Sequence, residues 1–334
     1  MSLTASVPGT GDGNVNGTVS YDPLRQHQRS SLLLVNGVVY IASAAHCDIG
    51  PYHGWILGYN ATNLAQVAVF NSTPNGGDGG VWMSGCGPAA DASGNIYVAT
   101  GNGTFDADTG GSDYGDSTIK LSGGLAVADY FTPFNQDALN GADNDYGAGG
   151  VLLLPDQPGA HTHLAIQGGK EGTIYVVDRD NLGHFQSGSD SQIVQSLPDT
   201  LGPIFCTPAY FNGNIYYNGV SDALKEFAVN NGLLSASPVS QTASNIGFPG
   251  ATPSVSANGV SNAIVWTIQT DAYTVRNGQA VLHAYDATDL TRELYNSTTH
   301  RQPPGMAVKF AVPTVANGKV YVGAVRRLAV YGLH

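Results

Sequence analysis

The 334-residue sequence predicts an all-β fold, a six-bladed β-propeller of four-stranded antiparallel blades, on three observations. Helical periodicity is nearly absent, while short β-branched and aromatic runs alternate with Gly/Asn/Asp/Pro clusters. A small-turn segment followed by apolar-Tyr-apolar recurs along the chain. Its key positions, Tyr40, Tyr97, Ile166, Tyr216, Trp266 and Tyr321, are spaced 57, 69, 50, 50 and 55 residues, room for four strands and their loops.

The elements follow in order within each repeat. An apolar stretch opens it, with Pro88, Pro208, Pro253 or Pro313 at its start; proline is tolerated there because no ladder donor is lost. The turn and inner strand come next, as VNGVVYIAS (35–43), ASGNIYVAT (92–100), FNGNIYYNG (211–219) and ANGKVYVGA (316–324). Asn-Gly between apolar runs is a strong short-range hairpin signal. SNAIVWTIQ (261–269) is a degenerate copy, and HTHLAIQGG (161–169) fills the remaining place. A third strand and polar turn follow, as in ILGYNATNL (56–64) and VLHAYDATDL (281–290). The last copy ends at His334 without a fourth strand, so the N-terminal run Leu3–Val7 is expected to complete the sixth blade and close the ring.

Composition limits the function. Acidic residues outnumber basic ones 25 to 13, a net charge of −12, which argues against binding a nucleic-acid backbone. No apolar run approaches the ~18 residues of a membrane span. Cys47, Cys86 and Cys206 are an odd set with no CxxC spacing. No signal peptide is legible; a chain beginning after a removed leader would read the same, and the expected location is secreted or periplasmic.

GNIYVATGNGTFD (94–106), KEGTIYVVDRD (170–180) and AVLHAYDATDL (280–290) give the chain a pattern that resembles the pyrroloquinoline-quinone-like β-propeller repeat proteins of bacteria, from about Leu3 to the end. The resemblance implies one propeller domain over 1–334, or a domain or fragment of a longer propeller. The larger quinoprotein dehydrogenases of that family carry a docking motif ending in Thr-Gly-x-x-x-Trp and stack their cofactor between a Trp and adjacent cysteines. Here Trp occurs at 55, 82 and 266, with no adjacent Cys pair and no such motif, so quinone is not expected as a cofactor.

Loops between consecutive repeats, and between second and third strands, share one face, where a small-molecule ligand of a central channel would sit. The segment 42–55 holds His46, Asp48 and His53; neutral His can bind metal or shuttle a proton. Arg29 precedes the first inner strand, and its guanidinium suits a carboxylate or phosphate. Lys170 and Glu171 are flanked by glycines, and Lys309 stands before an inner strand among apolar neighbours. Asp-rich loops at 100–117 and 135–150 supply hard oxygens, which calcium favours.

Three functions follow as expectations. The first is metal-assisted hydrolysis of a lactone or phosphoester, with His46, His53, Asp48, Arg29, Lys170 and Glu171 as the catalytic set. Its expected cofactor is a divalent cation, calcium or zinc, on His46, Asp113 and Asp116. The second is a non-catalytic binding or scaffold propeller. The third, from the resemblance alone, is a quinone-dependent oxidoreductase. Walker, HExxH, GxSxG and dinucleotide fingerprints are absent.

Overall fold

A computed structural model describes residues 3–332, so the chain end at His334 lies outside the described residues. The chain divides into two compact units, Met1–Ser196 and Leu197–His334. Both are built from antiparallel meanders, with one short α-helix, Gln136–Gly141, among the described residues. No helix there is long and apolar enough to cross a membrane.

The first unit holds three sheets of the repeat and, among the described residues, a two-stranded ribbon near the N-terminus. The first comprises Leu33–Val35, Val38–Ala45, Trp55–Asn60 and Gln66–Asn71, with Gln26–His27 paired to the far end of its second strand. The second comprises Ala89–Ala90, Ile96–Ala99, Thr118–Leu121 and Val127–Thr132. The third comprises Leu152–Leu153, Leu164–Gly168, Ile174–Asp178 and, at the unit boundary, Gln195–Leu197. In the second unit, the fourth sheet comprises Ala209–Phe211, Asn214–Asn218, Asp222–Asn230 and Ser240–Ile246. The fifth comprises Ser254–Asn258, Ser261–Gln269, Val281–Asp286 and Asp289–Asn296, and the sixth Thr314–Ala316, Lys319–Ala324 and Arg327–Gly332.

All six key positions of the repeat fall on the second strand of their sheets. Pro88, Pro208, Pro253 and Pro313 each stand one residue before a first strand. The Asn36-Gly37, Asn212-Gly213 and Asn317-Gly318 pairs all have positive φ, between 47° and 84°. That is the type I′ geometry whose twist matches a two-residue hairpin, and Asn and Gly are the residues that tolerate it.

In the second and third sheets the inner strands are buried on both faces, as in Ile96–Ala99, Leu164–Gly168 and Ile174–Asp178, so their sequences read as apolar runs rather than alternations. Neighbouring sheets pack through this apolar surface. One cluster joins Tyr40, Ile56 and Phe70 of the first sheet to Tyr97 and Phe131 of the second and Tyr175 of the third. In the second unit one cluster joins Tyr216 and Leu224 to Val265 and Tyr285, and another joins Ile268 and Leu282 to Val320 and Val322.

Buried tyrosines fix the spacing between sheets. Tyr40 Oη donates to the Gly123 carbonyl, in the third-to-fourth-strand turn of the next sheet, at 2.7 Å. Tyr216 Oη donates to the Ala287 carbonyl, in the equivalent turn of the fifth sheet, also at 2.7 Å. Between the second and third sheets, Lys120 Nζ donates to the Arg179 carbonyl at 2.7 Å, while the Arg179 guanidinium lies 6.0 Å from the Tyr97 ring centroid.

Two edges differ from expectation. The N-terminal strand does not extend the sixth sheet. Ser6–Pro8 pairs with Thr18–Ser20, and Leu3, Ala5 and Val7 pack on Val19, Trp55, Leu57 and Tyr59 of the first unit. The cause is local: Asn16-Gly17, both at positive φ, turns the chain between Val15 and Thr18 and supplies a nearby partner strand. The sixth sheet thus has three strands among the described residues. His184–Phe185, beyond the third strand of the third sheet, adds in parallel to the outer edge of the second.

Glu226 is a buried carboxyl on the third strand of the fourth sheet. Burial, reinforced by Asp289 and Asp286, pushes it up to about 7. The folded chain therefore favours the protonated form. That contribution is complete below the ordinary value of 4.5 and is lost as the pH rises through 7. Glu226→Gln is expected to stabilise the protein at pH 8 by about 1 kcal/mol, after allowance for solvent screening, and to flatten its stability between pH 5 and 8. Urea unfolding across that range measures this. In the same assay Tyr40→Phe and Tyr216→Phe should each cost about 1–2 kcal/mol, because each leaves a carbonyl unpaired while keeping the ring.

Candidate functional site

In the first unit, the loops entering each first strand and those joining second to third strands lie at the same end of their sheets. They are laced together by backbone hydrogen bonds. Gly101 N–H donates to the Gly80 carbonyl at 2.9 Å, Ser84 N–H to Ala148 at 3.0 Å, and Lys170 N–H to Asp145 at 3.0 Å. These bonds satisfy main-chain groups that have no ladder partner and fix the side chains they carry.

At the centre lies an ion pair against an indole. Lys170 Nζ sits 2.6 Å from Asp145 Oδ2 and 3.0 Å from Asp143 Oδ1, and also donates to the Asp143 carbonyl. Asp145 Oδ1 accepts the Asn102 N–H at 2.8 Å, and Asn102 Nδ2 donates to Asp143 Oδ1 at 3.1 Å. A Cβ on Gly101 would collide with both Asp145 Oδ1 and the Trp82 indole, so glycine allows the carboxylate and the ring to meet. Trp82 is only 5% exposed. The Arg29 guanidinium carbon lies 4.6 Å from its ring centroid, and Arg29 Nη1 donates to Ser84 Oγ at 3.3 Å. Tyr52 meets the indole edge-on at 6.2 Å.

The charges answer one another. Burial works against the Lys170 ammonium, but Asp145 and Asp143 outweigh it and raise Lys170. Burial raises Asp145 and Lys170 draws it back; the short contact and the Asn102 N–H favour its ionised form. Burial likewise lowers Arg29, opposed by Asp48 and Asp145. Tyr52 is raised by burial and then by Asp78, Asp145, Asp48 and Asp143, so it stays a neutral phenol.

The structure separates the residues expected to act together. His46 is exposed, its ring 5.0 Å from that of His27. It lines a cavity of about 360 Å³ with Asp22, Leu24, Arg25, Cys47 and Ile49. His53 is buried, with Nδ1 bonded to Thr73 Oγ1 and Nε2 to the Asp12 carbonyl, both at 2.9 Å. Both its nitrogens are thus engaged in holding loops together, and it does not join His46. Glu171 accepts from Tyr175 Oη and from Asn135 Nδ2. Asp48 is exposed and bears on Arg29 electrostatically.

His46, Asp113 and Asp116 are not brought together as a ligand set. Asp113 is buried and accepts the Asn75 N–H at 2.9 Å. Asp116 is fully buried, accepts the Tyr146 N–H at 3.0 Å, and is raised well above the carboxylate range by burial. Among the described residues no group of three or more His, Cys, Asp or Glu side chains is arranged to hold a metal ion. The Asp-rich loop instead caps its own turns, as where Asp106 Oδ1 accepts the Asp113 N–H.

The three Trp side chains lie in different surroundings. Arg29 covers Trp82, Trp55 is fully buried, and Trp266 Nε1 bonds to Ser256 Oγ within the fifth sheet. Cys47, Cys86 and Cys206 are far apart in sequence. Sequence reasoning picked out Arg29 and Lys170 but missed Trp82 and Asn102 as partners. The available signal was glycine: Trp82 stands two residues after Gly80, and Asn102 follows Gly101.

Removing Lys170 strands a buried carboxylate. Lys170→Met is expected to cost about 2–3 kcal/mol by urea unfolding, and the Lys170→Met/Asp145→Asn double variant clearly less than the two single losses combined.

No family model matches the chain, and no curated protein does. Known structures do. A quinohemoprotein alcohol dehydrogenase from Pseudomonas putida HK5 superposes with a TM-score of 0.57 at 15% identity, over 91% of this chain and 57% of that one. A computationally designed protein, Ika8, gives 0.52 at 10% identity over 91% and 70%. BamB from Moraxella catarrhalis gives 0.42 at 10% identity, over 93% and 86%. The chain thus spans little more than half the length of the alcohol dehydrogenase. In fold, it resembles the pyrroloquinoline-quinone-type β-propeller repeat proteins.

Proposed function

We propose that the protein is a secreted or periplasmic β-propeller of six blades that binds a neutral, polyhydroxylated small molecule at the mouth of its channel without transforming it. The observation that carries this reading is the array of Lys170, Asp145, Trp82 and Arg29. Its cations are already answered by carboxylates and by the indole, so a charged ligand would meet a compensated field. Neutral hydroxyls, which both donate and accept, suit fixed ammonium, guanidinium, amide and carboxylate groups set side by side. The six-fold repeat supports the blade number, and the likeness to a quinoprotein dehydrogenase supports the propeller.

Catalysis has weaker support. Hydrolysis needs a base free to accept a proton, yet both His53 nitrogens are engaged, and His46 lies on a separate exposed cavity.

Thermal-shift and calorimetric titration with panels of neutral polyols, carboxylates, phosphates and organic ammonium ions test the proposal. Polyols should raise the melting temperature and bind by calorimetry, and Arg29→Met should weaken that binding about tenfold. No polyol binding, or turnover of a lactone or phosphoester that falls with His46→Ala, would overturn it.

A further inference from the structure

The sixth sheet carries the packing face of the repeat but leaves it open to solvent. In each sheet the residue two beyond the key position pairs with a third-strand residue on the same face. In the first five sheets that third-strand residue is Ile56, Thr118, Ile174, Leu224 or Leu282, each 0% exposed. In the sixth it is Leu328, which is 63% exposed, and Val330, paired with Tyr321 beside it, is 49% exposed. The opposite face of this sheet is filled: Val320, Val322 and Ala329 are buried in one cluster with Ile268 and Leu282 of the fifth sheet. We propose that the open face docks an acidic β-hairpin of a partner protein, with apolar side chains on Leu328 and Val330 and carboxylates at Lys319 and Arg326.

What such a face accepts is visible elsewhere in the chain. Tyr40 and Tyr216 donate to a third-to-fourth-strand turn of the next sheet, at Gly123 and Ala287. Tyr321 holds the same position in the sixth sheet, partly exposed, and its hydroxyl makes no such bond among the described residues. A hairpin presents the required elements together, two strands and a turn carbonyl. The turn that receives Tyr216 is an acidic one, Asp286-Ala287-Thr288-Asp289.

Charge selects the acid. Residues 294–334 hold five basic residues and no acidic one, in a chain whose 25 acidic residues outnumber 13 basic ones. Lys319 stands two residues before Tyr321 on the same face, where the other five sheets carry an uncharged residue. It pairs with Gly332, at the end of the sheet where a third-to-fourth-strand turn lands. Arg326 occupies the turn at the other end of the two strands, and both cations are exposed. Neither makes an ion pair among the described residues, where the lysines and arginines so engaged are Arg25, Lys170, Lys225 and Arg292. Carboxylates on either side of a docked turn would therefore gain charge-assisted bonds at the rim of an apolar strip.

A second copy of the chain does not supply this occupant. Two copies joined by this face would confront one cationic surface with another. The face of the first sheet that bears Trp55 and Leu57 is already covered by Leu3, Ala5 and Val7 of its own chain. A polyanion without apolar side chains would leave Leu328 and Val330 in water.

Fluorescence anisotropy with the full chain and two labelled, disulfide-cyclised hairpin peptides tests the proposal. The two share strands of alternating Val and Thr and differ in the turn, Asp-Ala-Thr-Asp in one and Lys-Ala-Thr-Lys in the other. The acidic hairpin is expected to bind about tenfold or more tightly than the basic one, and high salt should narrow the gap. Lys319→Glu/Arg326→Glu should reverse the preference, and Leu328→Ser/Val330→Ser should weaken the acidic hairpin about tenfold. All four positions are exposed, and should a variant still misfold, the comparison of peptides and salt on the native chain decides. Equal binding of the two hairpins, or polyglutamate binding as tightly as the acidic hairpin, would overturn the site. So would a dimer of the native chain, seen by sedimentation, that Leu328→Ser dissociates.

Discussion

A tyrosine hydroxyl buried between two sheets must find an acceptor there, and this requirement holds the architecture in register. The ring of Tyr40 or Tyr216 belongs to the apolar packing of its own sheet, but its Oη reaches only a turn carbonyl of the next one. Packing by apolar area alone would let one sheet slide on another. A directional bond at 2.7 Å does not. Each linked turn joins the third to the fourth strand, at the opposite end of the sheet from the candidate site. Loops at the site end therefore inherit fixed relative positions from bonds made on the far side.

That inheritance explains why polar side chains can be buried in the first unit. Asp145, Asp116 and Asp113 are held by main-chain N–H groups of Asn102, Tyr146 and Asn75, on loops that the sheets bring together. The same loops press Trp82 against Arg29 and bring Asp145 to Lys170. Such a network costs most when it is incomplete, so its members are committed to one another. Commitment suits recognition, which gains from rigid donors and acceptors, better than a proton-transfer cycle, which needs a group free to change partners.

The sequence is legible where one local signal decides the outcome. Asn-Gly turns and prolines before first strands place five of the six sheets, because each signal acts within a few residues, while the third, around Ile166, has neither and is placed only by the repeat spacing. The same turn rule applied to Asn16-Gly17 would have placed the N-terminal strand on Thr18–Ser20 instead of on the last repeat. The parallel attachment of His184–Phe185 has no comparable signal, since two residues in a polar turn carry no period. In the site, low overall charge made Arg29 and Lys170 conspicuous. His46 and His53 read as a pair because they are close in sequence, but a strand start and a long loop separate their environments. Asp113 and Asp116 read as ligands until burial showed them serving main-chain donors.

The central claim is that the site loops of the first unit form a prebuilt recognition surface rather than a mobile lid. Amide hydrogen exchange on the native chain tests this most directly. The account predicts that the amides of Gly101, Asn102, Asp116, Tyr146 and Lys170 are protected to a degree comparable with the second strands of the sheets. Exchange of these amides at the rate of open loops, with the strands still protected, would contradict it.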